Sequence, residues 1–124
     1  MSAPAAPIRV LMIDDDPMQL ELVDRALARD GFEVRAVTTV DALVREAARF
    51  APHLVLIDVN MPDAPSDETI AAARAAAPTA RLVLYSAWED SKLRALAERL
   101  GVHGFISKSE SVFGIAKRLR ALQA

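Results

Sequence analysis

The sequence predicts a doubly wound α/β domain, (βα)₅, with one parallel five-stranded sheet and helices on both faces. Short β-rich stretches alternate along the chain with longer ones that carry apolar residues at helical spacing. Three of the short stretches, Val10–Ile13, Leu54–Ile57 and Leu82–Tyr85, are almost continuously apolar. Central parallel strands covered on both faces have that pattern. Caps and breakers fall between the segments, where such an arrangement needs them.

Ile8 to Ile13 forms the first strand. Asp16 before Pro17 marks a helix start, an N-cap acid with Pro at the first helical position. Leu20, Val23 and Leu27 make the stripe of that helix, and Gly31 stands where it should end. In the second strand, Phe32 to Val37, Phe32, Val34 and Ala36 alternate with Glu33 and Arg35, which suits an edge. Leu43, Ala47 and Phe50 form the second stripe, and Pro52 introduces the third strand, Leu54 to Asp58. Asp67 to Ala77 is a weaker helix, with Ile70 its only large apolar residue. Pro78 introduces the fourth strand, Arg81 to Ser86. Leu93, Leu96, Ala97 and Leu100 fall at i, i+3, i+4 and i+7, and Gly101 closes that helix. Gly104 to Ser107 is the fifth strand, and Val112, Ile115, Ala116, Leu119 and Leu122 repeat the helical pattern after it.

Residues 1–7 are small residues and Pro with nothing to bury, and a disordered tail is expected there. Residues 8–124 then make one domain, large enough for a single core. Hydrophobic residues are 52% and charged residues 26% of the chain, ordinary for a soluble globular protein. With 15 basic against 17 acidic residues the net charge is −2, so no direct nucleic-acid contact is expected. No Cys is present, which excludes disulfides, zinc ribbons and thiol catalysis and suits the cytoplasm, the expected compartment. The apolar runs are too short to span a bilayer, and the first residues lack the basic start and apolar core of a signal peptide.

In a sheet of this kind the active crevice lies beyond the carboxyl ends of the strands. The first strand ends in Asp14, Asp15 and Asp16, the third in Asp58, the fourth in Ser86, and the fifth is followed by Lys108. Each has a plain structural explanation: Asp16 caps a helix, Asp14 and Asp15 are turn acids, Asp58 ends a strand, and Ser86 and Lys108 are surface groups. Their conjunction says more. Carboxylates crowded together repel and raise the pKa of at least one, a penalty that a divalent cation removes. Mg²⁺ favours such oxygens and completes its shell with water and phosphate. A carboxylate beside it can act as nucleophile toward phosphorus, with Lys108 supplying charge to the phosphoryl oxygens and Ser86 a hydrogen bond.

From about Ile8 to Leu122 the chain resembles response-regulator receiver domains of two-component signalling. The motifs that carry the resemblance are Val10 to Pro17, Leu56 to Pro62, Tyr85 to Ala87 and Gly104 to Ser109, matched together in order and spacing. In detail they look most like receivers often joined to helix-turn-helix output domains. The resemblance implies a flavodoxin-like strand order 2-1-3-4-5. It implies Asp58 as phosphoacceptor, and Asp14, Asp15, Asp58 and the Asn60 carbonyl as the Mg²⁺ site. Lys108 and Ser86 would complete the chemistry, and Ser86 and Phe105 would form the switch. It also implies a sensor histidine kinase or phosphotransfer protein as donor. A changing surface on the fourth helix, fifth strand and fifth helix would meet an unknown downstream protein, an output domain or a second copy in a phosphorylation-dependent homodimer. Such a protein is a phosphoacceptor with self-phosphorylation and self-dephosphorylation chemistry, not a turnover enzyme.

The chain departs from the family pattern at three places. Ser109 follows Lys108 where many receivers have Pro after a cis peptide. Because a cis bond without Pro costs roughly 2.5–4 kcal/mol, a trans bond is expected. Ser66 replaces the usual Gly in the loop from Pro62, and Phe105 lacks the hydroxyl of a switch Tyr, so its inward position rests on packing. Trp88, the only Trp, is expected at the site rim, either shielding an acyl phosphate or simply packed in a loop. His53 and His103 read as loop residues at the opposite end, and Lys117, Arg118 and Arg120 as a solvated basic face. Two other functions share these residues. A haloacid-dehalogenase-like phosphatase would use Asp14 as nucleophile and Asp16 as acid/base, leaving Asp58 without a role. A degenerate receiver would dock partners without phosphorylation. A flavodoxin-like flavin site is excluded by the acidic loop after the first strand.

Overall fold

A computed structural model describes residues 6–61, 65–109 and 112–123. Five strands and five helices alternate: β1 (Ile8–Ile13), α1 (Pro17–Arg29), β2 (Phe32–Val37), α2 (Val40–Phe50), β3 (Leu54–Asp58), α3 (Ser66–Ala76), β4 (Arg81–Ser86), α4 (Asp90–Leu100), β5 (Gly104–Ser107) and α5 (Val112–Gln123). All strand pairs are parallel, in the order β2-β1-β3-β4-β5. The sequence-derived strand spans are reproduced, and β2 lies at an edge as its alternation predicts. The expected tail lies mostly in residues 1–5, outside the described residues.

Two apolar layers hold the sheet. On one face Val10, Met12, Leu54, Leu56, Val83, Tyr85 and Ile106 pack with Leu20, Val23 and Leu27 of α1 and Ile115 and Leu119 of α5. On the other Leu11, Ile13, Val55, Ile57, Leu82 and Leu84 meet α2, α3 and α4 through Leu43, Phe50, Ile70, Leu93 and Leu96. Side-chain direction alternates along each strand, so parity decides which face a residue serves.

The helix boundaries follow local chemistry. Asp16, in extended backbone, accepts the Met18 N–H at 3.0 Å with Pro17 at the first helical position, as its sequence context predicts. Thr39 caps α2 through the Ala42 N–H. Helix α3 starts at Ser66 and ends at Ala76, one residue earlier at each end than the expected Asp67 to Ala77. Gly101 ends α4 at φ 68°, and Gly31 follows α1 at φ 84°. Ala51 ends α2 at φ 49°, the only positive φ among described non-Gly residues.

Candidate functional site

The carboxyl ends of the parallel strands bring the sequence-predicted residues to one edge of the sheet, and strand parity divides them between its two faces. Counting on from the buried rows, Asp14, Asp58, Tyr85 and Lys108 share the parity of the α1/α5 layer, whereas Ser86 and Phe105 share that of the α3/α4 layer. Lys108 Nζ donates to Asp14 Oδ2 at 2.9 Å and stands 3.4 Å from Asp58 Oδ1. The Lys108 N–H donates to the Ser86 carbonyl at 2.7 Å, extending the β4–β5 ladder to the site. Asp14 and Asp58 are buried at 1% and 4% exposure, while Asp15 is exposed.

Electrostatics within this pocket are tense. Burial raises the Asp58 pKa above its ordinary 3.8. The Asn60 N–H, donating to Asp58 Oδ1 at 3.1 Å, lowers it, the charge of Asp14 raises it again, and Lys108 offsets only part. Burial alone would depress Lys108, but the hydrogen bond to Asp14 and the charge of Asp58 outweigh it and the pKa is raised. One oxygen from each of Asp14, Asp15 and Asp58 lies within 4.8 Å of the others, a hard-oxygen donor set suited to a divalent cation. Asp15 would meet such an ion from the water side. Asp16 stays a helix cap, as its sequence context suggests, and its own N–H donates to Asp14 Oδ1 at 3.0 Å, steadying that carboxylate.

Around the mouth, Trp88 bridges two loops. Its backbone N–H donates to Ser86 Oγ at 3.1 Å and its indole N–H to Asn60 Oδ1 at 3.0 Å. The residue is 38% exposed, so it is open to solvent beside the loops that it joins. Ser86 is fully buried. Phe105 is half-buried against the α3/α4 layer, and the Arg94 guanidinium lies 5.6 Å from its ring centroid, so packing is not its only hold. No described peptide bond is cis, Lys108–Ser109 included, and the Ser109 N–H donates to Ser107 Oγ at 3.2 Å. Ser66 Oγ donates to the Val59 carbonyl at 3.3 Å; residues 62–64 of that loop lie outside the described residues.

One sequence expectation needs correction and a second needs detail. Arg118 and Arg120 are not simply a solvated face: Arg118 donates to the Phe105 carbonyl at 3.0 Å, and Arg120 donates to the Asp30 carbonyl and covers the Phe32 ring. His53 and His103 are loop residues far from the chemistry, but both imidazoles have partners. His53 Nδ1 accepts the Arg9 N–H at 2.9 Å, and His103 Nδ1 accepts the Leu82 N–H at 3.0 Å. Sequence reasoning missed these bonds because they depend on strand register.

Known proteins resemble this chain in sequence and in fold. The chain is 28% identical over 120 residues to the probable transcriptional regulatory protein TcrX of Mycobacterium tuberculosis, covering 97% of this chain and 51% of the relative. It is 30% identical over 112 residues to the transcriptional regulatory protein KdpE of the same species, covering 90% and 49%. A shorter match, 44% over 80 residues, joins 63% of the chain to 24% of a protein-glutamate methylesterase/protein-glutamine glutaminase of Anaeromyxobacter dehalogenans. The chain thus spans about half the length, or less, of these curated relatives. Among solved structures, the signal receiver domain of the putative response regulator NarL of M. tuberculosis superposes with a TM-score of 0.80 at 26% identity, covering 96% and 98% of the two chains. The chemotaxis response regulator CheY4 of Vibrio cholerae gives 0.82 at 19% identity, covering 94% and 98%, and speaks for the fold alone. The family profile itself matches residues 10–120, which contain every group gathered at the strand ends, and by that match the chain belongs to the response regulator receiver domain family of two-component signalling.

Proposed function

We propose that this domain is a phosphorylation-activated switch: Asp58 accepts a phosphoryl group from phosphohistidine of a sensor kinase or phosphotransfer protein. The observation that carries the reading is Asp58 at 3.4 Å from Lys108 Nζ, with oxygens of Asp14 and Asp15 within 4.8 Å of its own. An Asp58 oxygen attacks phosphorus while the bond from phosphorus to the donor nitrogen breaks, leaving an aspartyl phosphate. Lys108 turns from the carboxylates to the new phosphoryl oxygens, and Asp14 keeps it in reach. Asp14, Asp15, Asp58 and the Asn60 backbone carbonyl would hold Mg²⁺, which when bound neutralises carboxylate and phosphoryl charge. Ser86 leaves the Trp88 N–H for a phosphoryl oxygen, and the space it vacates favours an inward Phe105, changing the α4–β5–α5 surface. That surface would act on a downstream protein, an output domain or a second copy. The domain would serve signalling in the cytoplasm and would not turn over a substrate; among the described residues no helix is long and apolar enough to cross a membrane.

Intact mass after incubation with Mg²⁺ and acetyl phosphate tests the reading. One phosphoryl adduct is expected, absent in Asp58→Asn and in chelator. An adduct that survives Asp58→Asn but disappears in Asp14→Asn would favour the phosphatase chemistry. No adduct from acetyl phosphate or from a kinase would leave a docking receiver.

A further inference from the structure

We propose that Tyr85 is a positioning residue for Lys108, its ring forming the platform that keeps the ammonium aimed at the carboxylate pocket. The inference rests on the phosphoacceptor reading only for its kinetic consequence. Tyr85 is the direct register partner of Asp58 across the parallel β3–β4 pair, and both have α1/α5 parity. Lys108 Nζ lies 5.3 Å from the centroid of the Tyr85 ring, within the range in which a cation is drawn to an aromatic face. The same nitrogen reaches Asp14 at 2.9 Å and Asp58 at 3.4 Å. The ammonium is thus bracketed by two carboxylates and one ring.

The platform is itself fixed. Tyr85 is 2% exposed within the α1/α5 layer, and its hydroxyl accepts a hydrogen bond from Gln19 Nε2 of α1 at 2.9 Å. Lysine has a long, freely rotating stem, and holding its end in one geometry costs side-chain entropy. A buried aromatic face restricts that freedom without offering a competing anion. It therefore leaves the positive charge available when a phosphoryl group arrives. An aliphatic residue at position 85 would supply apolar contact to the stem but no attraction to the charge.

Two measurements test this, one independent of phosphorylation. In the unphosphorylated protein the Lys108 side-chain protons should show ring-current shifts and cross-relaxation with the Tyr85 ring. Tyr85→Phe should preserve both, and Tyr85→Leu should abolish the shifts. Absence of both signals in the wild-type protein would overturn the proposal, whatever the phosphorylation chemistry proves to be. The second measurement is the rate of phosphorylation by acetyl phosphate at saturating Mg²⁺, in variants whose circular dichroism and melting remain native-like. Tyr85→Leu should slow it about tenfold, with Tyr85→Phe close to wild type. In a Lys108→Met background Tyr85→Leu should have no further effect. A slowing that persists without Lys108, or that Tyr85→Phe shares, would refute the platform and point to general damage or to the hydroxyl. A wild-type protein that takes no phosphoryl group would instead refute the phosphoacceptor reading, with the NMR result still deciding the contact.

Discussion

Asp58 is a carboxylate whose ionisation works against the fold. Burial, reinforced by Asp14, raises its pKa although the Asn60 amide and Lys108 pull the other way. A raised folded value stabilises in full below the ordinary 3.8, and that contribution is lost as pH rises through the raised value. Asp58→Asn should therefore raise the melting temperature of the metal-free domain at neutral pH, with the gain shrinking toward acid; melts across pH check it. Lys108 behaves differently, because its pKa is raised from 10.5. Its contribution is fully present at neutral pH and fades only as pH rises through the raised value. At the mouth, the Trp88 indole N–H donates to Asn60 Oδ1, on the residue two beyond Asp58. On the phosphoacceptor reading, Trp88→Ala should speed loss of the phosphoryl group, by roughly three- to tenfold if water exclusion is its main effect. The decay of the adduct mass measures this, and an unchanged rate would leave Trp88 a packing residue.

At the scale of elements, the entries to β3 and β5 are each pinned by a histidine. The N–H of His53 donates to the Arg9 carbonyl while Nδ1 accepts the Arg9 N–H, and His103 treats Leu82 the same way. His53→Ala or His103→Ala would leave a strand amide unpaired, at a cost of about 1–3 kcal/mol. Asn, whose Oδ1 stands near the place of Nδ1, should recover most of it, as urea denaturation would show. The strands themselves were legible because a fully buried apolar run bounded by Gly or Pro is a local signal. The groups at their carboxyl ends were legible for the same reason. The histidine bonds were not, since no local pattern fixes which strand amide an imidazole will meet. Nor does an Ala announce the left-handed end of α2 at Ala51, where Ala51→Gly should stabilise by about 0.5–1 kcal/mol. Tyr85 was hidden in plain view, because inside the run Leu82–Tyr85 it reads as core until its parity is counted against that of Asp58.

Across the whole molecule, the sheet separates two tasks. Each helix carries an Arg in its last turn, at the end away from the site, whereas acids occupy the first turns of α2, α3 and α4. That placement complements the helix dipoles and leaves the strand-end pole acidic around Lys108. Within that pole, Asp14, Asp58, Tyr85 and Lys108 share the parity of α1 and α5, while Ser86 and Phe105 share that of α3 and α4. Tyr85 and Ser86 are neighbours on β4, so on the phosphoacceptor reading this strand would join the chemistry on one face to the switch on the other. If Ser86 is the coupling group, Ser86→Ala should still accept a phosphoryl group or bind a beryllium fluoride mimic at Asp58. It should fail, however, to pass the change to α4 and β5. Hydrogen exchange measures both halves: in the wild-type domain the mimic should alter protection in the β3–α3 loop and across 90–107, and in Ser86→Ala in the loop alone. A serine variant that transmitted the full change would place the coupling elsewhere, with the Arg94 contact to Phe105 the next group to remove.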